Sequence, residues 1–334
     1  LIILLAVALW AYVGYDFSSV ISAFAEADWR LILAGAILDI FLLYLRVFKW
    51  RFFHGAYRKI SFYNMSLAAF AAYSFNMVVP ARMGGLVQAW LLAKKESISK
   101  STALGTVALI RIMDGITLAA IGLLVFFFIE VPEGKGAYWE SLQKGGLIFT
   151  AFFFTITVIL FALRKNRKFV EWFFSSAMFL APTRFKPAVG KIIKLFWDGF
   201  AVLDQGRSLS IIVLLSFIFW GLVATSISIF LKAFGIAIVS VTMPFFILLA
   251  QIVGFLIPTP GYIGPFHAAT VMALSFYGVS GELALSVAII MHAMMFVTNT
   301  MLGFIYLWFE NINLTTITRE VKLDLLKTNY NSEK

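Results

Sequence analysis

Cysteine is absent from the 334-residue chain, which excludes disulfides and thiolate metal sites. Histidine is nearly absent: His54, His267 and His292 are the only three, and none stands in an HExxH or comparable ligand spacing. No P-loop occurs, and no GxGxxG follows a strand pattern. Neither a metal nor a cofactor is expected. Charge is scarce too, at 13% of residues, where a soluble domain carries about a quarter. What fills the chain is 61% hydrophobic and 17% aromatic. Several apolar runs approach the roughly 20 residues needed to cross a bilayer. The composition therefore predicts an all-α integral membrane protein.

The apolar runs divide as follows. A first span covers Leu1 to Tyr15, followed by a short amphipathic piece, Ser18 to Ala27, suited to the membrane interface. Further spans are expected at 29–53, 100–129, 147–163, 209–234 and 282–310. Two runs are interrupted: 62–79 breaks at Pro80 and returns over 81–93, and 244–257 breaks at PTPG and returns over 262–277. Residues 311–334 form a polar cytoplasmic tail.

The net charge of +10 invites nucleic acid as a partner, but its distribution argues against that. Twenty-one of the 27 Lys and Arg fall in four clusters, at 46–59, 94–100, 164–207 and the tail, while the intervening loops are acidic. Cationic loops mark the cytoplasmic side. All four clusters share that side only if 62–93 enters and leaves by one face, and a 13-residue return arm, about 20 Å of helix, is too short to span. The expected topology is six full transmembrane helices plus two inverted re-entrant hairpins in the cytoplasmic membrane, with both termini cytoplasmic. A basic helix within 164–207 would lie on anionic headgroups.

An internal repeat points the same way. PARMG at 80–84 matches PGYIG at 260–264, and SISKSTAL at 97–104 resembles GVSGELAL at 278–285. The first copy (29–130) enters from inside and the second (208–310) from outside, which is an inverted-topology repeat. Broken backbone survives at membrane depth only if buried in protein or lining a wet cavity. Two hairpin tips meeting head to head would create such a place.

The first break places Arg82, Gly84 and Gly85 together. Glycine lets backbone approach closely, a new helix N-terminus presents free amides, and Arg82 in that first turn adds a permanent fork of donors. This suits an anion, most naturally phosphate. The alternative is that Arg82 only snorkels or pairs with an acid to fix the hairpin. Arg111 and Asp114 share one helical face near mid-bilayer, either as an internal salt bridge or with Arg111 also facing substrate. Asp39 is expected as counter-ion to Arg82 or Arg111. Arg46, Lys49 and Arg51 read as interfacial anchors with Trp50, and Arg46, one turn deeper, is placed to touch a lipid head. His267 and His292 stand as hydrogen-bonded structural groups or as a pair that binds phosphate or relays a proton. Asn76, Gln88, Gln251 and Asn299 are expected to satisfy the broken backbone.

At these residues the chain resembles the lysylphosphatidylglycerol synthase transmembrane family, also described as flippase-like. The matching elements are RVFKW at 46–50, NxxxPARxG at 76–84, RxxD at 111–114, PxPGxIG at 258–264 and GVSxxxA at 278–284. The resemblance covers roughly residues 1–310 and implies movement of aminoacylated phosphatidylglycerol, or of glycolipid or polyprenyl-linked lipids, between leaflets. The chain departs from the family pattern at Gly85, where an acid is usual, at Tyr262 and His267 in the second motif, and at His292, where an Arg is frequent. The polar tail has no room for the soluble aminoacyltransferase domain of synthase members, so no enzyme activity is expected.

These readings converge on a transporter of an anionic phospho-, glyco- or polyprenyl lipid through a midplane site. Membrane lipids are its expected partners, with a second copy of the chain or a separate lipid-synthesising enzyme as further candidates. Two other readings stand beside it: a membrane-embedded lipid-phosphate enzyme using His267 or His292, and a proton-coupled carrier of a small anion.

Overall fold

The computed structural model describes residues 16–54, 60–79, 83–129 and 206–320 except 314, 315 and 318, together with the isolated residues 131, 140 and 155. The spans expected at 1–15 and 147–163, Arg82, and most of the basic segment 164–207 and of the tail lie outside the described residues. Within them the chain is helical and holds no strand.

The helices are α1 (Phe17–Glu26), α2 (Trp29–Arg51), α3 (Phe62–Val78), α4 (Gly84–Glu96), α5 (Lys100–Phe128), α6 (Gly206–Ala233), α7 (Thr242–Leu256), α8 (Pro265–Phe276) and α9 (Gly281–Phe309). Short 3₁₀ turns occupy Phe52–His54 and Pro260–Tyr262. Four stretches are long and apolar enough to cross a bilayer: Trp29–His54, Lys100–Phe128, Ser210–Ala233 and Gly281–Phe309. Side-chain caps fix where several helices start. Asp28 accepts from the amides of Arg30 and Leu31, Ser61 from Asn64, Ser99 from Thr102 and Ser280 from Leu283. The apolar surface left outside follows a lipid-facing logic: α2 exposes Leu33, Ile37, Phe41 and Phe48.

The two halves correspond element by element. The long helices α5 and α9 both have 29 residues, start 181 positions apart and are both capped by serine. Each follows a hairpin of two short helices, α3–α4 and α7–α8. Each hairpin packs against its own long helix and against that of the other half, α3 on α9 and α7 on α5, while α2 pairs with α6.

Both return arms start three residues later than the sequence suggests. The first helix is Gly84–Glu96 with Met83 at its N-cap, so Arg82 precedes it rather than standing in its first turn. The second is Pro265–Phe276, 12 residues long. Gly261 and Gly264 adopt positive φ (59° and 96°) and hold the chain out of helix until Pro265, whose fixed φ suits the first helical position.

The end of α3 meets the tip of the second hairpin. A methyl group placed on Gly261 would come within 3.0 Å of the Met77 carbonyl at the end of α3. Gly261→Val therefore combines a strained left-handed backbone with a collision at the tip contact, a cost of about 3 kcal/mol. Gly278→Ala, at φ +80° with open space around it, incurs only the backbone term. Thermal unfolding in detergent, followed by tryptophan fluorescence, should show a clearly larger loss of Tm for the first variant than for the second.

Candidate functional site

Beside this contact the bundle holds a cavity of about 740 Å³. Asn76, Met77 and Gly85 line it from the first hairpin, and Gln251, Phe255, Tyr262 and Phe266 from the second. The helices around them add Asp39 and Arg46 (α2), Arg111 and Asp114 (α5), and Phe219, Trp220 and Ser226 (α6). Residues more than 180 positions apart in the chain thus line one cavity, mostly apolar, whose wall carries four charged side chains, Asp39, Arg46, Arg111 and Asp114.

The charges pair differently from expectation. Asp114 does not serve Arg111, three residues back on its own helix. Its Oδ2 accepts from Arg46 Nη2 at 3.4 Å, and its Oδ1 accepts from Lys49 Nζ. Lys49 is no interfacial anchor: it is 0% exposed, one turn along α2 from Arg46, so both cations meet the same carboxylate. Trp50, expected beside it at the interface, is buried with its indole N–H donating to Thr106 Oγ1 at 3.1 Å. Arg46 retains 21% side-chain exposure, and its guanidinium carbon lies 5.0 Å from the Phe219 ring centroid, 5.8 Å from Trp220 and 5.9 Å from Tyr73.

Arg111 is left exposed to the cavity and belongs to no ion pair among the described residues. Asp39 is not its counter-ion: Asp39 Oδ1 accepts from Ser226 Oγ at 2.7 Å, on the facing helix α6. Two cations, Arg46 and Lys49, thus share the carboxylate Asp114, while Arg111 and Asp39 stand outside the described ion pairs.

The glycines have separate roles. The Gly84 amide donates to Asn76 Oδ1 at 2.9 Å, so this amide is taken and not available to an anion. A Cβ at Gly84 would collide with the Ala72 carbonyl and the Asn76 side chain, so the glycine permits α3 and α4 to close against each other. Gly85 faces the cavity. Asn76 thus satisfies broken backbone, as its position suggests.

The histidines sit together, ring centroids 4.7 Å apart, behind Phe266 and off the cavity wall. Both serve the second tip. His292 Nε2 hydrogen-bonds the Gly261 carbonyl at 2.7 Å, and His267 Nδ1 accepts from the Gly264 amide at 3.4 Å. Gly84 and Gly264, 180 positions apart, are therefore both first amides of a return arm satisfied by a side chain. Unpaired backbone is costly in an apolar setting, which gives the histidines this structural task and takes them away from the cavity.

Lys49 and the ring set Tyr73, Phe219 and Trp220 are the site residues that sequence reasoning missed. Lys49 carried a usable signal: at three residues from Arg46 it shares the face that meets a mid-span acid. The rings carried none, since aromatics are abundant throughout.

Removing Asp114 strands Lys49, an uncompensated charge without solvent. Asp114→Leu should cost about 3–5 kcal/mol. The double variant Lys49→Met/Asp114→Leu should recover much of that loss in the same unfolding measurement; a double variant no better than the single would contradict the pairing.

No curated protein and no solved structure gives a significant match to the chain. Residues 1–303 match the family described as the lysylphosphatidylglycerol synthase TM region. With the ordered motifs in place along a helical membrane bundle and nine-tenths of its length matched, the chain belongs to the lysylphosphatidylglycerol synthase transmembrane family.

Proposed function

We propose that the protein moves an anionic, phosphate-bearing lipid between leaflets, holding the headgroup at Arg111 in the cavity between the two hairpins while the acyl chains stay in the bilayer. The observation that carries this reading is Arg111 itself, a permanently charged fork of donors facing a midplane cavity without an acid of its own. Cations at membrane depth are expensive, and a substrate phosphate is the partner that would relieve this one.

The rest of the cavity suits the same ligand. Arg46, Lys49 and Arg111 stand against Asp114 and Asp39, which leaves one positive charge in excess with Asp39 ionised and two with it protonated. Its volume falls within the range of about 300–1,000 Å³ that holds small-molecule groups, enough for a headgroup but not for two acyl chains. Arg46, partly exposed and braced on aromatic rings, is the second candidate contact. Gly85, on the wall beside Asn76, lets the headgroup approach backbone. His267 and His292 hold the second tip in shape and do not touch the lipid. The family's description, the lysylphosphatidylglycerol synthase TM region, is in keeping with a lipid substrate.

In this reading the topology has six full spans and two hairpins entering from opposite faces, with both termini cytoplasmic and repeats over 29–130 and 208–310. The 13- and 12-residue return arms, about 20 and 18 Å of helix, support re-entry on both sides. The matched 29-residue long helices support the inverted repeat. Access alternates as one repeat rocks against the other around the site. No catalytic step is involved.

The test is transport by the purified chain in proteoliposomes containing fluorescent phosphatidylglycerol, read by dithionite quenching of the outer leaflet. Arg111→Ala should lower the rate by about tenfold or more, the loss expected for a charge-assisted contact. Arg51→Ala, at the exposed end of α2, should leave it near wild type. An unchanged rate for folded Arg111→Ala would refute the assignment.

A further inference from the structure

Asp39 is the acid on the cavity wall that no described ion pair includes. It lies midway along α2 on the cavity wall, and its described hydrogen bond comes from Ser226 Oγ at 2.7 Å. The other charged groups on the cavity wall are Arg46, Arg111 and Asp114. Arg46, seven residues and about 10 Å of helix axis away, is held by Asp114 and by three rings. Arg111 and Asp114 stand on α5, and the remaining titratable wall groups are the phenols Tyr73 on α3 and Tyr262 at the second tip. From α6, α7 and α9 the wall is neutral, with Ser226, Gln251, Thr298 and Asn299 as its polar members. No described hydrogen bond or ion pair joins Asp39 to any of these except Ser226. Among the described residues an ionised carboxylate here has one hydroxyl donor and no ion-pair partner, in a region where charge without a partner is costly. A protonated carboxyl needs no counter-charge.

We propose that Asp39 is a proton-binding site that couples lipid movement to a transmembrane proton gradient, an inference that rests on the transport reading above. The coupling is electrostatic. Asp39 and the phosphate at Arg111 are two negative groups competing for the same excess of positive charge in one cavity. A proton on Asp39 removes one of them, so the protonated cavity takes the lipid phosphate more readily than the ionised one does. Proton and lipid then enter from the same face, cross together and leave together, one proton per headgroup, with the Ser226 hydroxyl turning to donate again once the proton departs. The cycle is a symport, and the lipid moves toward the alkaline side.

The experiment uses the full chain in proteoliposomes with fluorescent phosphatidylglycerol and an imposed pH gradient, with a pH-sensitive dye inside. Wild type should move lipid toward the alkaline leaflet, reverse direction when the gradient is reversed, and carry protons in step. Asp39→Asn should show the same rate with either gradient or none, and Asp39→Glu should restore the response. Wild-type lipid movement that ignores the gradient, or occurs without proton flux, overturns the coupling and leaves the transport reading standing. An Asp39→Asn variant as responsive as wild type overturns it equally. Absence of lipid movement in wild type under every gradient, with the dye silent, sinks the transport reading and the coupling with it.

Discussion

Asp114 holds two cations that no water reaches or only partly reaches, and the polar interior of the bundle is organised around that pairing. Lys49 is fully buried and Arg46 mostly so, and both meet the same carboxylate. Buried charges in an apolar bundle require partners, and the pairing ties the C-terminal end of α2 to the middle of α5. Its chemical consequence lies one turn away. With its carboxylate committed to α2, Asp114 does not neutralise Arg111, and Arg111 faces the cavity.

The second constraint is backbone satisfaction. Interrupting two helices within an apolar bundle exposes amides and carbonyls that must find partners inside the protein. Asn76 takes the first amide of one return arm, His267 that of the other, and His292 bonds the carbonyl at the second tip. Once satisfied, the second tip packs against the end of α3 through Gly261 and Met77, and the space beside that contact is the cavity. The same breaks that cost hydrogen bonds thus border the cavity that carries Asp39, Arg46, Arg111 and Asp114.

Much of this was legible in the sequence. The four described spans, the two interrupted hairpins and the paired serine starts at Ser99 and Ser280 follow from apolar run length, proline and glycine placement and capping chemistry, all local signals. The order of a helix, a hairpin and a long helix, met twice along the chain, follows the apolar runs and their breaks. The pairing of charges was not legible. Arg111 and Asp114 are neighbours on one helix, and sequence spacing favours joining them, whereas a lysine 65 positions earlier takes the acid because burying Lys49 without it would be far more costly. Lys49 and Trp50 close an apolar run in the way of interfacial anchors, and only the packing of α5 against that end makes them interior. The histidines looked like ligand groups because the carbonyl and amide that occupy them arise only when the second helix breaks, at Gly261 and Gly264. Arg82, central to the sequence argument, lies outside the described residues, and the cavity's cationic character rests on Arg46, Lys49 and Arg111 without it.

The central claim is that a lipid phosphate completes the charge balance beside Arg111. An experimental density map of the protein in nanodiscs containing anionic phospholipid tests it most directly. The account predicts a headgroup within hydrogen-bonding reach of the Arg111 guanidinium, between the two hairpin tips, with its acyl chains leaving the bundle sideways. A cavity filled by acyl chains, or Arg111 turned onto a protein carboxylate with no lipid beside it, would contradict it.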